Sequence, residues 1–353
     1  MQINRSDFTA SWKRVLTLSN LKPGEVVTIL TASYSDELTF SCAAEAAVQL
    51  GAKVSRLDVS DAMSSGIGLS TDKFGYVGDT PLAGNSAAMA ALTASDLVID
   101  LMVLLFSQEQ LEILKSGTRM LLASEPPEIL MRLEPRLEDR VTVLAAGAIL
   151  AKGREMTVTS RAGSDLRCQL GQYPVVKEYG FVDKPGRWDH WPSGFHATWP
   201  NEGTAQGKLV LDRGDILLPQ KCYVRDPIEL TIKDGYITKV EGGLDAELFS
   251  AFIDSFDDPD GYAISHIGWG LNRRAQWSAL ALNDTHRTTG MDARSFAGNF
   301  LFSTGPNTEV GGDRDAACHM DIPMRNCTVA VDGVEYVREG NLVEMAELAD
   351  AVE

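Results

Sequence analysis

The strongest constraint on the fold lies in the first 150 residues, where continuous apolar, β-branched runs alternate with helical patterns. Residues 25–32 carry the run Val26-Val27-Thr28-Ile29-Leu30-Thr31, residues 36–51 read as a helix closed by Gly51, and residues 53–59 read as a second strand. After a Gly/Ser-rich loop at 64–68 come helices at 82–94, 108–115 and 127–133, alternating with strands at 96–103 and 118–123. An amphipathic helix at 7–18, with Phe8, Trp12, Val15 and Leu16 on one side, precedes them. Strands without a polar face must be covered on both sides, and the intervening helices are the crossovers that parallel pairing requires. The spacing predicts an α/β domain with a mostly parallel sheet over residues 1–153, including a last apolar helix at 137–152. No Gly-x-Gly-x-x-Gly follows the first strand, where Ala32-Ser33-Tyr34-Ser35-Asp36 stands, so a dinucleotide site is not expected.

From Arg154 the pattern changes to short alternating runs at 156–160, 166–170, 208–211, 228–232 and 236–240. Turns such as Lys233-Asp234-Gly235 and Val331-Asp332-Gly333 punctuate them, as in antiparallel hairpins. An α+β domain with mainly antiparallel strands is expected over residues 154–353, interrupted by a helix at 245–257 and closed by a short acidic helix at 341–352. A net charge of −17 repels nucleic acid and anionic lipid and leaves small molecules or proteins as partners. The longest apolar stretches, near 97–106 and 141–151, fall short of the roughly 20 residues of a membrane span. With no basic-then-apolar leader at the N-terminus, a cytoplasmic protein is expected. Five scattered cysteines without a CxxC argue for reduced thiols rather than a disulfide framework.

Chemistry concentrates near the end of the chain, in Cys318-His319-Met320-Asp321. On a strand, His319 and Asp321 point the same way, about 7 Å apart along the backbone. An imidazole and a carboxylate on one face supply two thirds of a 2-His-1-carboxylate site with open positions, and the third ligand must be His190, His196, His266 or His286. Cys318 and His319 face opposite sides of a strand, so they make a poor nucleophile and base. The segment Trp188-Asp189-His190-Trp191-Pro192-Ser193-Gly194-Phe195-His196 packs two histidines among aromatics, as a flat heteroaromatic substrate would require. Neither Gly-x-Ser-x-Gly, nor a P-loop, nor His-Glu-x-x-His is present.

These stretches resemble the thermophilic metallo-aminopeptidase (M29) family, and within that superfamily its ring-cleaving dihydroxypyridine dioxygenases of nicotinate degradation. In the peptidases, conserved glutamates, a strand histidine and a late His-x-Asp bind two metal ions. Here Phe195 and Leu301 stand at ligand positions, His266 stands where a glutamate precedes Gly270-x-Asn272, and His319 and Asp321 match. The resemblance implies one Fe(II) on His266, His319 and Asp321, and an extradiol-type cleavage of 2,5-dihydroxypyridine by O2 to N-formylmaleamate. A histidine away from the metal suits the accompanying proton transfers, with His190 preferred over His196. Glu178, His196, Arg294 and Ser303 are candidate substrate contacts, and a homo-oligomer is expected. The alternatives are a residual metallo-aminopeptidase using Zn2+ at the same trio and an inactive small-molecule binding protein.

Overall fold

The computed structural model describes residues 3–59, 76–77, 80–105, 107–285 and 287–344. The loop expected at 64–68 and His286 lie outside these residues. The chain folds as two compact units, and it crosses between them several times. One comprises Met1–Arg140, Glu178–Ser193 and Asn283–Met291, and the other comprises Val141–Lys177, Gly194–Leu282 and Asp292–Glu353.

The first unit is built on a five-stranded sheet in which Val26–Thr31 lies between Lys53–Asp58 and Leu97–Asp100, followed outward by Arg119–Leu122 and Trp188–His190. All four pairings are parallel. Alternate side chains on both faces of Val26–Thr31 are buried, Val27 and Ile29 as well as Thr28 and Leu30, which a sheet covered on both sides requires. Leu30, Val98 and Met120 share a core with Leu92 and Ile113 of the helices Ser86–Thr93 and Gln108–Lys115. The helices start where side-chain oxygens satisfy their first free N–H groups: Asp36 accepts from Thr39, Asn85 from Ala88 and Ser107 from Gln110. The third helix therefore begins at Ser86 rather than 82, because residues 82–85 form the turn that ends on the Asn85 cap. The fifth strand, Trp188–His190, was not among the expected strands. Its three residues pair with Met120, Leu121 and Leu122, and a three-residue strand recruited across the chain leaves no periodicity to detect.

Among the described residues the second unit contains two large sheets with mainly antiparallel pairing and a two-stranded antiparallel one, Ile216–Leu217 with Cys222–Tyr223. A five-stranded sheet runs in the order Met320–Met324, Phe300–Thr304, Ile264–Gly270, Phe195–Thr198, Val176–Glu178. An eight-stranded sheet includes Glu155–Ser160, Asp165–Gln169, Gln206–Leu211, Ile228–Lys233 and Cys327–Val331. Met156, Leu166, Leu230 and Val329 of the larger sheet pack with Trp269, Phe300, Phe302 and Ile322 of the smaller one. Phe249 and Phe252, from the helix Leu244–Asp254, join this core. The acidic helix expected at 341–352 begins differently: Asn341–Leu342 is a strand paired with Val334–Arg338, and residues 345–352 lie outside the described part. Among the described residues, no helix is long and apolar enough to cross a membrane.

Candidate metal centre

Strand alternation sorts the small sheet of the second unit into two faces. Register pairs Ser303 with Asp321, Leu301 with Pro323 and Gly268, Ala197 with Gly268, and Phe195 with Gly270. These side chains share one face, while Ile322, Phe302, Ile267 and Trp269 point into the inter-sheet core. His266, two residues before Gly268, falls on the same face opposite Ser303, and the strand is irregular just before it. Ile264 pairs with Thr304 but Ile267 pairs with Phe302, so the strand carries one extra residue in a bulge at Ser265–His266. The bulge is tied down on both sides: Ser303 Oγ donates to the His266 carbonyl at 2.9 Å, and Trp199 Nε1 donates to Ser265 Oγ at 3.0 Å.

On this face His266, His319 and Asp321 converge, each offering one ligand atom, with all three atoms within 4.8 Å of one another. Asp321 Oδ1 lies 3.1 Å from His266 Nε2 and 3.5 Å from His319 Nε2. Those spacings suit ligands held about 2.1 Å from one shared ion. The other ends of two of these ligands are already occupied. His319 Nδ1 is 2.9 Å from the Thr304 carbonyl, which places its proton there and leaves Nε2 as the basic nitrogen. Asp321 Oδ2 accepts from Arg294 Nε at 2.6 Å, while Oδ1, buried, has no hydrogen-bond donor among the described residues. A buried carboxylate oxygen left without a donor, facing two imidazole nitrogens, is the polar atom that a cation would satisfy.

The electrostatics favour ligating states. Burial pushes the Asp321 carboxyl up, but Arg294, His319 and His266 together hold it well below the usual carboxylate range. Burial lowers His266 below the usual histidine value, with Asp321 opposing, so the ring favours its neutral form. Among the described residues this trio is the one such cluster of potential ligands. Beside it the same face carries the buried side chains of Phe195, Ala197, Leu301 and Pro323.

The remaining candidates fall in several places. Arg294, on the helix Met291–Ser295, is the Asp321 partner. Ser303 is fully buried and holds the His266 main chain. His196, paired with Trp269 and packed edge-on against its ring at 4.2 Å, points into the inter-sheet core, away from Asp321. Its ring nitrogens have no partner among the described residues, and burial, with Lys177 nearby, lowers its pKa to about 3. His190 and Glu178 belong to the first unit, where His190 Nδ1 lies 3.4 Å from Glu178 Oε2 and both side chains are buried. Sequence reasoning did not find the role of the Thr304 carbonyl, which orients His319, or the strand irregularity beside His266. Main-chain carbonyls and an extra strand residue carry no side-chain signature, although the two glycines after His266 mark a place of close backbone approach.

The family model for 2,5-dihydroxypyridine 5,6-dioxygenase (NicX) matches residues 7–344. A curated 2,5-dihydroxypyridine 5,6-dioxygenase from Pseudomonas putida KT2440 is 51% identical over 347 residues, covering 98% of this chain and 99% of that protein. The solved structure of a 2,5-dihydroxypyridine dioxygenase from Pseudomonas putida KT2440 superposes with a TM-score of 0.94 at 50% identity, covering 97% of this chain and 98% of that one. Wild-type AmpT from Thermus thermophilus superposes with a TM-score of 0.65 at 13% identity over 96% of this chain and all of that one, a likeness of fold. The one match extends to sequence over the whole length and the other to architecture alone, and the chain therefore belongs to the 2,5-dihydroxypyridine 5,6-dioxygenase family.

Proposed function

We propose that the chain is an Fe(II)-dependent ring-cleaving dioxygenase that converts 2,5-dihydroxypyridine and O2 to N-formylmaleamate. The observation that carries this reading is the convergence of His266 Nε2, His319 Nε2 and Asp321 Oδ1 on one buried face of a chain that shares its full length with dihydroxypyridine dioxygenases. When bound, ferrous iron supplies O2 activation and a Lewis-acidic contact for a ring oxygen, work suited to two imidazoles and one carboxylate that leave positions open.

The chain's own residues prepare the site. The Thr304 carbonyl fixes the His319 tautomer, and Arg294 engages one Asp321 oxygen so that the other faces the imidazoles. Phe195, Leu301 and Pro323 give the face an apolar lining, which favours a flat ring over water. Arg294 offers a cationic donor for a ring oxygen. His190, with Nδ1 3.4 Å from Glu178 Oε2, is the histidine this reading assigns to proton transfer. His196 takes no part in that transfer, since it faces the core. The apolar side chains on the metal-binding face provide no ligands for a second ion, which supports oxygenase rather than two-metal hydrolase chemistry.

The test is anaerobic reconstitution with Fe(II) or Zn(II), followed by oxygen-electrode assays on 2,5-dihydroxypyridine and other hydroxypyridines. Equimolar loss of O2 and 2,5-dihydroxypyridine with Fe(II) alone is expected. An iron-loaded protein that consumes no O2 with any hydroxypyridine overturns the proposal.

A further inference from the structure

The connection between the two strands that bear Ser303 and Asp321 closes on one buried arginine. Arg314 Nε donates to the Gly305 carbonyl at 2.7 Å, Nη2 to the Ile264 carbonyl at 2.9 Å and Nη1 to Glu202 Oε2 at 2.9 Å. Its main chain is fixed as well: its N–H donates to Asn307 Oδ1 at 2.8 Å, and its carbonyl accepts from Asn307 N at 3.1 Å. The two carbonyls are specific places. Ile264 lies two residues before His266, where the strand irregularity begins, and Gly305 follows Thr304, whose carbonyl orients His319. Gly305 also donates its N–H to Ala263 at 2.9 Å, so residues 263–264 and 305 are already neighbours that the guanidinium ties together.

We propose that Arg314 is a positioning residue of the metal centre, a single guanidinium that bridges the Ile264 and Gly305 carbonyls and so sets His266 and His319 relative to each other. The inference rests on reading the trio as a metal site. A planar fork with several fixed donors can serve two carbonyls and a carboxylate at once, whereas a lysine ammonium on a flexible stem cannot reproduce that geometry. Glu202 is at the rim, with its side chain 45% exposed, so its role is to balance the charge rather than to fix the two backbones. Outer groups that orient ligands in this way typically change metal affinity by about 10–100-fold when lost.

The experiment is Co(II) titration of the metal-free, full-length protein, read by the visible absorption of bound Co(II), for wild type, Arg314→Lys, Glu202→Gln and His266→Ala. The expected result is a Co(II) dissociation constant raised about 10–100-fold in Arg314→Lys, with shifted bands at saturation, and wild-type bands in Glu202→Gln. A change of band position at saturation reports altered ligand geometry, which a mere loss of fold stability does not produce. Arg314→Ala with and without methylguanidinium is the second arm, and recovery of the wild-type bands on adding the guanidinium is expected. Wild-type bands in both arginine variants without additive overturn the positioning role. Identical Co(II) binding by wild type and His266→Ala overturns instead the metal reading beneath it.

Discussion

Replacing Asp321 by Asn removes a charge without changing size, and its cost is expected even when no metal is bound. Arg294 Nε lies 2.6 Å from Asp321 Oδ2, with side-chain exposures of 19% and 5%, so the substitution leaves a largely buried guanidinium facing a neutral amide. Breaking a buried pair by removing one partner costs about 3–5 kcal/mol, and partial access of Arg294 to water places the expectation near the lower end. A loss of about 3 kcal/mol corresponds to a melting temperature lower by roughly 6 °C or more, taking about 2–4 °C per kcal/mol for a domain of this size. The assay is calorimetry of metal-free wild type, Asp321→Asn, Arg294→Met and the double variant. The double variant should recover part of the loss, with a coupling of about 1–3 kcal/mol between the two sites. Metal-free Asp321→Asn melting with wild type, or losses that simply add in the double variant, would refute this account of how the carboxylate is held.

Other predictions address the remaining parts of the site. Gly268→Ala places a Cβ against the His196 carbonyl oxygen and 2.8 Å from Ala197 Cα, both main chain, so the paired strands must separate; soluble yield and melting temperature should fall by several degrees, and an unchanged melting curve would count against the register described. His190→Ala should keep its metal and lose about 10²–10⁴-fold in kcat, while His190→Asn at wild-type turnover would assign His190 a purely structural role. Because the folded-state pKa of Asp321 is depressed, its stabilisation is present above the ordinary carboxylate pKa of about 4 and is lost as pH falls through the folded value. Metal-free wild type should therefore lose stability below about pH 4 more steeply than Asp321→Asn, as read by calorimetry across that range.

The legible parts of the fold were those in which one segment carries its own periodicity. Val26–Thr31 and the cap-marked helix Gln108–Lys115 could be placed within a residue because β-branched runs and N-cap serines act locally. Trp188–His190 could not, since its membership of the parallel sheet is decided by Arg119–Leu122, far away in sequence. In the site, His319 and Asp321 were legible through the two-residue period of a strand, whereas His266 came from a family resemblance, beside a strand irregularity that no residue type announces. His190 and His196 read as one aromatic segment, yet within the five residues between them the chain passes from one unit to the other, and strand alternation then turns His196 into the core. The orientation of a side chain that can satisfy either face is set by the partner strand.

The central claim is that three side chains of one sheet face hold a single iron. Anomalous diffraction at the iron edge, from crystals of the full-length protein loaded anaerobically with Fe(II), tests it directly. The account predicts one peak per chain, within bonding distance of His266 Nε2, His319 Nε2 and Asp321 Oδ1, at about 2.0–2.2 Å from each. A peak away from these atoms, or two peaks about 3.5–4 Å apart as in a two-metal hydrolase, would contradict it.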